Sequence, residues 1–457
     1  MNAVLPSRPH ASAWSYAPIA AFFALLLVFA QPARAAMSIQ DVTSSKGIHA
    51  WLVEDYSVPI ITIRFAFAGG SSQDPAGKEG VANLMTDLFD EGAGDLDSEA
   101  FQEKLDDSGA EMSFDESRDQ IYGTMRMLAS EKDAAFNLLR LAVEKPRFDP
   151  DPVERMRAQV IADIESRARD PRTEGGVAMA KALYGNHPYA KRPDGTTASL
   201  KAITPADLKA FHARLFARDN LHVAVVGAIN AEQLKTVLDK VFGNLPEKAD
   251  LTPVPDIQPK LGETVSVSYP LPQTSLQLVY RGVKRDAPDF FAAYLMNQVL
   301  GGGTFSSWLF QEVREKRGLA YGITSGLVDY QHANALVIGT ATRSESAAET
   351  LKVILEQVKK MIDEGPTEAE LDAAKKYVVG AFAIANLDSS VSIARTLIEL
   401  EIDHLGIDYI QKREGLIDQV TLEQVKAAAK KLLSVKPALL IVGKPFDPDK
   451  LSSENKG

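Results

Sequence analysis

The chain has 457 residues, a formal net charge of −11, 45% hydrophobic and 24% charged residues, a balance ordinary for globular proteins in a length that calls for two or more domains. That acidic excess leaves nothing to neutralise phosphates and argues against a nucleic-acid partner. The absence of cysteine excludes disulfides, thiolate metal sites and cysteine nucleophiles.

Residues 1–35 read as a targeting segment. Arg8 lies in an n-region without acids, Ile19–Ala30 is an apolar run of twelve residues, and Ala33-Arg34-Ala35 fits an A-x-A cleavage site. Twelve residues are short for a stable membrane span, so the expectation is a signal peptide and a secreted, in a bacterium periplasmic, product; the alternative is an uncleaved anchor. No other apolar run is long enough to cross a membrane. Loss of residues 1–35 removes Arg8 and Arg34 and no acid, which makes the remainder still more acidic.

After the leader, Gly47–Val53 and Ile60–Ala68 read as strands, the second apolar on both faces at its start and alternating later. Gly69–Ser72 ends it and Asp74–Gly77 turns. Gly80–Phe89 reads as a helix, and Ser98–Ser108 as an amphipathic one with Ser98 as N-cap and Phe101 and Leu105 on one face. Strands follow at Ala110–Phe114 and Gln120–Leu128. Ser130 is expected to cap a helix through Val143, and Asp151–Arg169 to form another. Tyr184–Tyr189 reads as a loop, Thr204-Pro205 starts a helix to Leu215 with Pro at its first position, Asn220–Ile229 is a buried strand, and Ala231–Phe242 is helical.

Residues 246–262 hold prolines 246, 253, 255 and 259 and have linker composition. Beyond them the order restarts with strands at Thr264–Tyr269 and Leu276–Arg281, a helix at Pro288–Leu300 and a break at Gly301, Gly302 and Gly303. The restart is a repeat. Ile203–Phe216 followed by Leu221–Gly227 matches Val420–Leu433 followed by Pro437–Gly443, each a Thr-led amphipathic helix, a loop and a buried strand ending in Gly, roughly 216 residues apart. The helix carrying Phe101 and Leu105 likewise corresponds to one carrying Leu309 and Val313. The fold class that follows is α+β, with two homologous duplicated domains, each a mixed or antiparallel sheet packed with helices. The expected boundaries are 36–245 and 263–445, joined by the 246–262 linker and ending in a tail, 446–457.

Chemistry concentrates at Trp308–Gly322. Trp308, Leu309, Phe310 and Val313 give a buried face, Gly318 caps a helix after Lys316 and Arg317, and Tyr321 opens an extended run to Val328. A guanidinium at Arg314 and a phenol at Tyr321, seven residues apart across a helix end, can converge on one point and hold a peptide carbonyl or an oxyanion. From this stretch alone the plainer reading is a solvated arginine and a core tyrosine at a helix–strand junction.

At this point the chain resembles the pitrilysin (insulinase-like) family, which includes the mitochondrial processing peptidases. The resemblance spans about residues 40–445 and rests on Gly69–Gly80, on Asn186-His-Pro-Tyr189 with Gly195, on the Asn220–Gly227 strand, on the duplication, and most specifically on Arg314–Tyr321. It implies peptide bound as an added strand near a zinc site, with Arg314 and Tyr321 reaching that site and Gly301–Gly303 as a flexible loop beside it. Active members carry H-x-x-E-H on the first helix after the Gly-rich turn, two His ligands and a Glu base. Here Asn83, Thr86 and Asp87 occupy those places, and the third ligand falls near Asp163, a set poorly suited to zinc. The histidines at 10, 49, 187, 212, 222, 332 and 404 do not replace it; His187 reads as part of a structural loop. The polar face of Asn83, Thr86 and Asp87 reads as solvated rather than as another cation's site. Some members divide labour between a zinc-bearing chain and an Arg/Tyr-bearing chain. The resemblance therefore implies a non-catalytic subunit that binds no cofactor itself and pairs with a homologous H-x-x-E-H subunit carrying the zinc, acting on a peptide substrate. The competing expectation is a peptide-binding or scaffolding protein of the same fold. A hydrolase of another kind ranks last, because no G-x-S-x-G elbow, P-loop or dinucleotide fingerprint occurs.

Overall fold

The computed structural model describes residues 37–303 and 305–448; the stretch expected as a targeting segment and most of the tail lie outside them. In chain order the strands are β1 (Gln40–Thr43), β2 (His49–Glu54), β3 (Ile60–Ala68), β4 (Glu111–Glu116), β5 (Gln120–Leu128), β6 (Leu221–Gly227), β7 (Thr264–Ser268), β8 (Gln273–Arg281), β9 (Ala320–Tyr330), β10 (Ala333–Arg343) and β11 (Ala438–Gly443). The helices of the first half are α1 (Val81–Thr86), α2 (Ser98–Asp107), α3 (Lys132–Glu144), α4 (Pro150–Arg167), α5 (Pro171–Tyr184), α6 (Thr197–Ala202), α7 (Pro205–Leu215) and α8 (Ala231–Phe242). Those of the second are α9 (Phe290–Gly301), α10 (Ala347–Asp363), α11 (Glu368–Asn386), α12 (Ser390–Ile402), α13 (Tyr409–Asp418) and α14 (Leu422–Leu433).

The duplication is visible in the pairing. The first sheet runs β1-β2-β6-β3-β5-β4 and the second β7-β11-β8-β10-β9. In both, one parallel pair, β2 with β6 and β7 with β11, joins an otherwise antiparallel sheet. The repeated helix–strand units are α7–β6 and α14–β11, and each helix opens with a capping box, at Thr204 and Thr421, which satisfies first-turn N–H groups reciprocally. Ile61, Ile63, Phe65 and Phe67 of β3 point into the first core, with Phe101 and Phe242 from helices and Phe89 and Phe216 from just beyond helix ends. Leu276, Leu278 and Ile441 do the same in the second, with Leu300, Leu309, Val313 and Ile354.

The far faces of the sheets are covered by exchange. Helix α5 of the first half packs on β7 and β11 of the second sheet, where Met179, Leu183 and Tyr184 meet Val279, Leu440 and Val442. Gly175 permits this approach, because a Cβ there would come within 2.6 Å of Val442 Cγ2. Helix α12 of the second half packs on β3 and β6 of the first sheet, with the hydroxyls of Ser390 and Thr62 2.8 Å apart. The exchange explains why β3 is apolar on both sides at its start.

Several boundaries differ from expectation for local reasons. Asp97, not Ser98, caps α2, accepting from the Ala100 N–H, while the Ser98 hydroxyl turns to Glu91. Ser130 caps nothing, since α3 starts after Glu131 without a side-chain cap. The stretch expected as a helix from Asp151 to Arg169 ends at Arg167, and Asp170-Pro171 starts α5, a helix not foreseen. The first helix after the Gly-rich turn is only Val81–Thr86, with Asp87 as its C-cap. The proline-rich stretch 246–262 carries no regular element, yet it is pinned to both halves: Thr252 N–H donates to Gln73, Ile257 N–H to the His332 carbonyl and Lys260 N–H to the Leu183 carbonyl. Among the described residues no single helix is long and apolar enough to cross a membrane, although α11 and α12 together, bent by 116°, reach the length and composition of a broken span.

Candidate functional site

The sequence around Arg314 folds as an α-turn at Trp308 and Leu309 that widens into π-helix over Phe310–Glu315. The Lys316 N–H donates to the Gln311 carbonyl across five residues, at 3.0 Å. With more than four residues per turn, positions four apart stack almost directly, so Phe310 and Arg314 share one face. Phe310 and Val313 are buried, and Val313 holds the segment on the second core. The chain then reverses through Gly318 and enters β9, the edge strand of the second sheet, whose second residue is Tyr321.

Arg314 and Tyr321 do converge. The Arg314 Cζ lies 4.7 Å from the centroid of the Tyr321 ring and 4.8 Å from that of Phe310, so the guanidinium sits between two aromatic faces. Its side chain is 32% exposed and the nearest carboxylate oxygen, on Glu315, is 3.7 Å away. Lys316 and Arg317 are both committed to Glu312. Among the described residues neither the Arg314 guanidinium nor the Tyr321 hydroxyl makes a hydrogen bond. Tyr321 is 87% exposed, which overturns the core-tyrosine alternative: at the edge of the sheet its side chain falls on the solvent face.

The three glycines are not one loop. Gly301 is the last residue of α9 and a Cβ there would come within 2.6 Å of Ser325 Oγ, so it is fixed by helix–strand packing. Gly302 lies against Gln298, and only Gly303, at φ +85°, stands in open space. Sequence reasoning also missed two aromatic participants, Phe305, 74% exposed, and Phe310. Aromatic residues five apart do not announce a π-helical register.

In the first half, the residues standing at zinc-ligand positions do lie together. Helix α1 packs against α4, which carries Asp163, and desolvation first, then the carboxylates of Asp90 and Asp163, push the Asp87 carboxyl above the usual range. Asn83 and Thr86, expected on a solvated face, are instead engaged inside the protein, and Thr86 is buried. The Asn83 amide donates to Glu116 Oε2 at 3.2 Å, and the buried Thr86 hydroxyl donates to the Asn83 carbonyl at 2.7 Å. Burial, with Asp87 adding, raises the Glu116 carboxyl. Above them, the Gly80 and Ala82 N–H groups donate to Asp74, whose carboxyl burial pushes to about 8. An amide, a hydroxyl and crowded carboxylates fit zinc poorly, because such a site needs imidazoles beside its carboxylate and none is here. Among the described residues no group of three His, Asp or Glu side chains is arranged to hold a metal ion.

His212 and His187 serve the scaffold. His212 donates to the Val143 carbonyl at 2.8 Å among Phe89, Phe148 and Phe216, and burial lowers it to about 4. His187 bonds the Pro255 carbonyl at 2.8 Å, as a structural-loop residue should. Beside it the buried Tyr189 hydroxyl donates to Asp119 and accepts from the His332 N–H, tying the two halves together.

Residues 51–192 match the family described as insulinase (peptidase family M16), and residues 202–378 match its "Peptidase M16 inactive domain". The chain is 28% identical over 371 residues to a Helicobacter pylori protein named "Non-peptidase homolog YmxG", covering 79% of this chain and 84% of that one. It is 28% identical over 381 residues to an uncharacterized zinc protease of Mycobacterium tuberculosis, covering 82% and 86%. A solved structure of a peptidase M16 inactive domain from Pseudomonas fluorescens superposes with a TM-score of 0.83 at 33% identity, covering 90% of this chain and 98% of that one.

Proposed function

The chain belongs to the insulinase family, peptidase family M16, and from that premise we propose that it is the non-catalytic subunit of a periplasmic, heterodimeric zinc endopeptidase. A homologous partner with an intact H-x-x-E-H supplies the metal and the general base. This chain supplies Arg314 and Tyr321, which hold a carbonyl of the peptide substrate and donate to the oxyanion that develops on it. The observation that carries the reading is the state of Arg314: stacked on Phe310 and Tyr321, with Lys316 and Arg317 paired to Glu312 and its own nearest carboxylate, Glu315, at 3.7 Å, it is a cation held in place whose guanidinium makes no hydrogen bond among the described residues. Such preorganisation is what makes a donor effective as charge develops. Arg314→Ala should lower the turnover of the assembled complex by roughly a hundredfold to a thousandfold, as for a lost oxyanion donor. Unchanged turnover in a complex that still assembles rules the role out.

A second reading, a scaffold of the same fold without peptidase work, is favoured by one observation, the engagement of Asn83 and Thr86 in internal hydrogen bonds. Its signature is a stable complex whose activity does not depend on Arg314 or Tyr321.

A further inference from the structure

Phe305 combines high exposure with restraint. Its side chain is 74% exposed, yet Gln311 Nε2 donates to its carbonyl at 2.7 Å. Its ring meets Phe310 edge to face, with centroids 5.0 Å apart and planes at 71°. Phe310 in turn stacks on Arg314, and Arg314 on Tyr321. The result is one continuous strip, Phe305–Phe310–Arg314–Tyr321, running from the end of α9 to the edge strand β9. With its backbone held and one fixed neighbour for its ring, Phe305 has less freedom to lose on binding than a side chain on an unrestrained loop.

The chemistry of the strip selects its occupant. Its hydrogen-bond donors are those of Arg314 and Tyr321, and the rest is aromatic. A complementary ligand offers an acceptor to the first and an apolar group to the second, which an extended peptide does with a backbone carbonyl and a neighbouring side chain. The Phe305 ring lies no further from the guanidinium than the contacts through Phe310 laid end to end, about 10 Å, which is roughly three residues of extended chain.

We infer that Phe305 determines specificity, taking a bulky apolar or aromatic side chain of the bound peptide within about three residues of the carbonyl held by Arg314 and Tyr321. This rests on the proposed role of that pair. The test is a fluorescence-polarisation titration of the protein with two labelled, unstructured peptides of equal length and charge, one carrying Phe and Leu at several positions, the other Ser at those positions. The wild type should bind the apolar peptide about three- to tenfold tighter, the ratio a single aromatic contact supplies. Phe305→Ala should abolish the preference while leaving affinity for the serine peptide unchanged, and Phe305→Leu should retain most of it. A preference that survives Phe305→Ala, or a wild type that shows none or binds neither peptide, overturns the inference. Arg314→Ala should weaken both peptides equally. If it weakens neither while Phe305→Ala still removes the preference, the role given to Arg314 fails and that of Phe305 stands.

Discussion

Glu401, near the end of α12, offers a quantitative test of how the halves are joined. Its side chain is 14% exposed and Oε2 lies 3.8 Å from His222 Nδ1 on β6, without a hydrogen-bond partner among the described residues. Burial first, then the Asp41 carboxylate, raises its carboxyl to about 8, against a bond from the Val223 N–H that lowers it. Burial, then His404, lowers His222, so at neutral pH two neutral groups face each other, not an ion pair. The unfolded chain releases the Glu401 proton near 4.5 and the folded one only near 8. Stability is therefore fully present below 4.5, falls as pH rises through this window and levels off above it. The shift sets a ceiling of about 5 kcal/mol, and local opening of the helix end, which rehydrates the charge, reduces the expected loss to about 2–3 kcal/mol. Glu401→Gln keeps the shape and removes the titration. Urea unfolding of both proteins at pH 5, 7 and 9 should find them similar at pH 5 and the variant more stable by about 2–3 kcal/mol at pH 9. The other raised carboxyls, Asp74 at about 8 and Asp403 at about 7, cancel in this difference. A difference that is constant with pH, or largest in acid, refutes the reasoning.

Other expectations follow from the same contacts. Gly301→Ala should cost about 1–3 kcal/mol in unfolding measurements, because the added methyl must displace Ser325 or Leu309. Tyr321→Phe removes only an exposed hydroxyl, so the melting temperature should stay within about 1 °C while turnover of the complex falls about tenfold to a hundredfold. Tyr189→Phe should destabilise by about 1–3 kcal/mol in urea unfolding, since Asp119 and the His332 N–H both lose their shared partner.

Legibility in the sequence followed the range of the forces involved. Thr204 and Thr421 cap their helices through their own side chains, so the repeated helix–strand unit could be read directly, and with it the duplication. Helix α5 could not be read, because Gly175-Gly176 weakens the local signal and the helix is held by Val442 and Leu440, from the far end of the chain. The Arg314–Tyr321 pair was legible as a spacing, but the sandwich that fixes it depends on π winding and on Phe310. The reading of Asn83, Thr86 and Asp87 as standing in the places of H-x-x-E-H comes from the resemblance alone. The internal hydrogen bonds that engage Asn83 and Thr86 appear only once β4 brings Glu116 alongside and α1 folds.

The central claim is tested most directly by peptidase activity on an unstructured peptide mixture with added zinc. The assay compares this protein alone, a homologue bearing H-x-x-E-H alone, and the two combined with wild-type or Arg314→Ala protein. The account predicts activity only in the combination, lowered roughly a hundredfold to a thousandfold by Arg314→Ala. Chelator-sensitive activity from this protein alone, or a combination indifferent to Arg314→Ala, would contradict it.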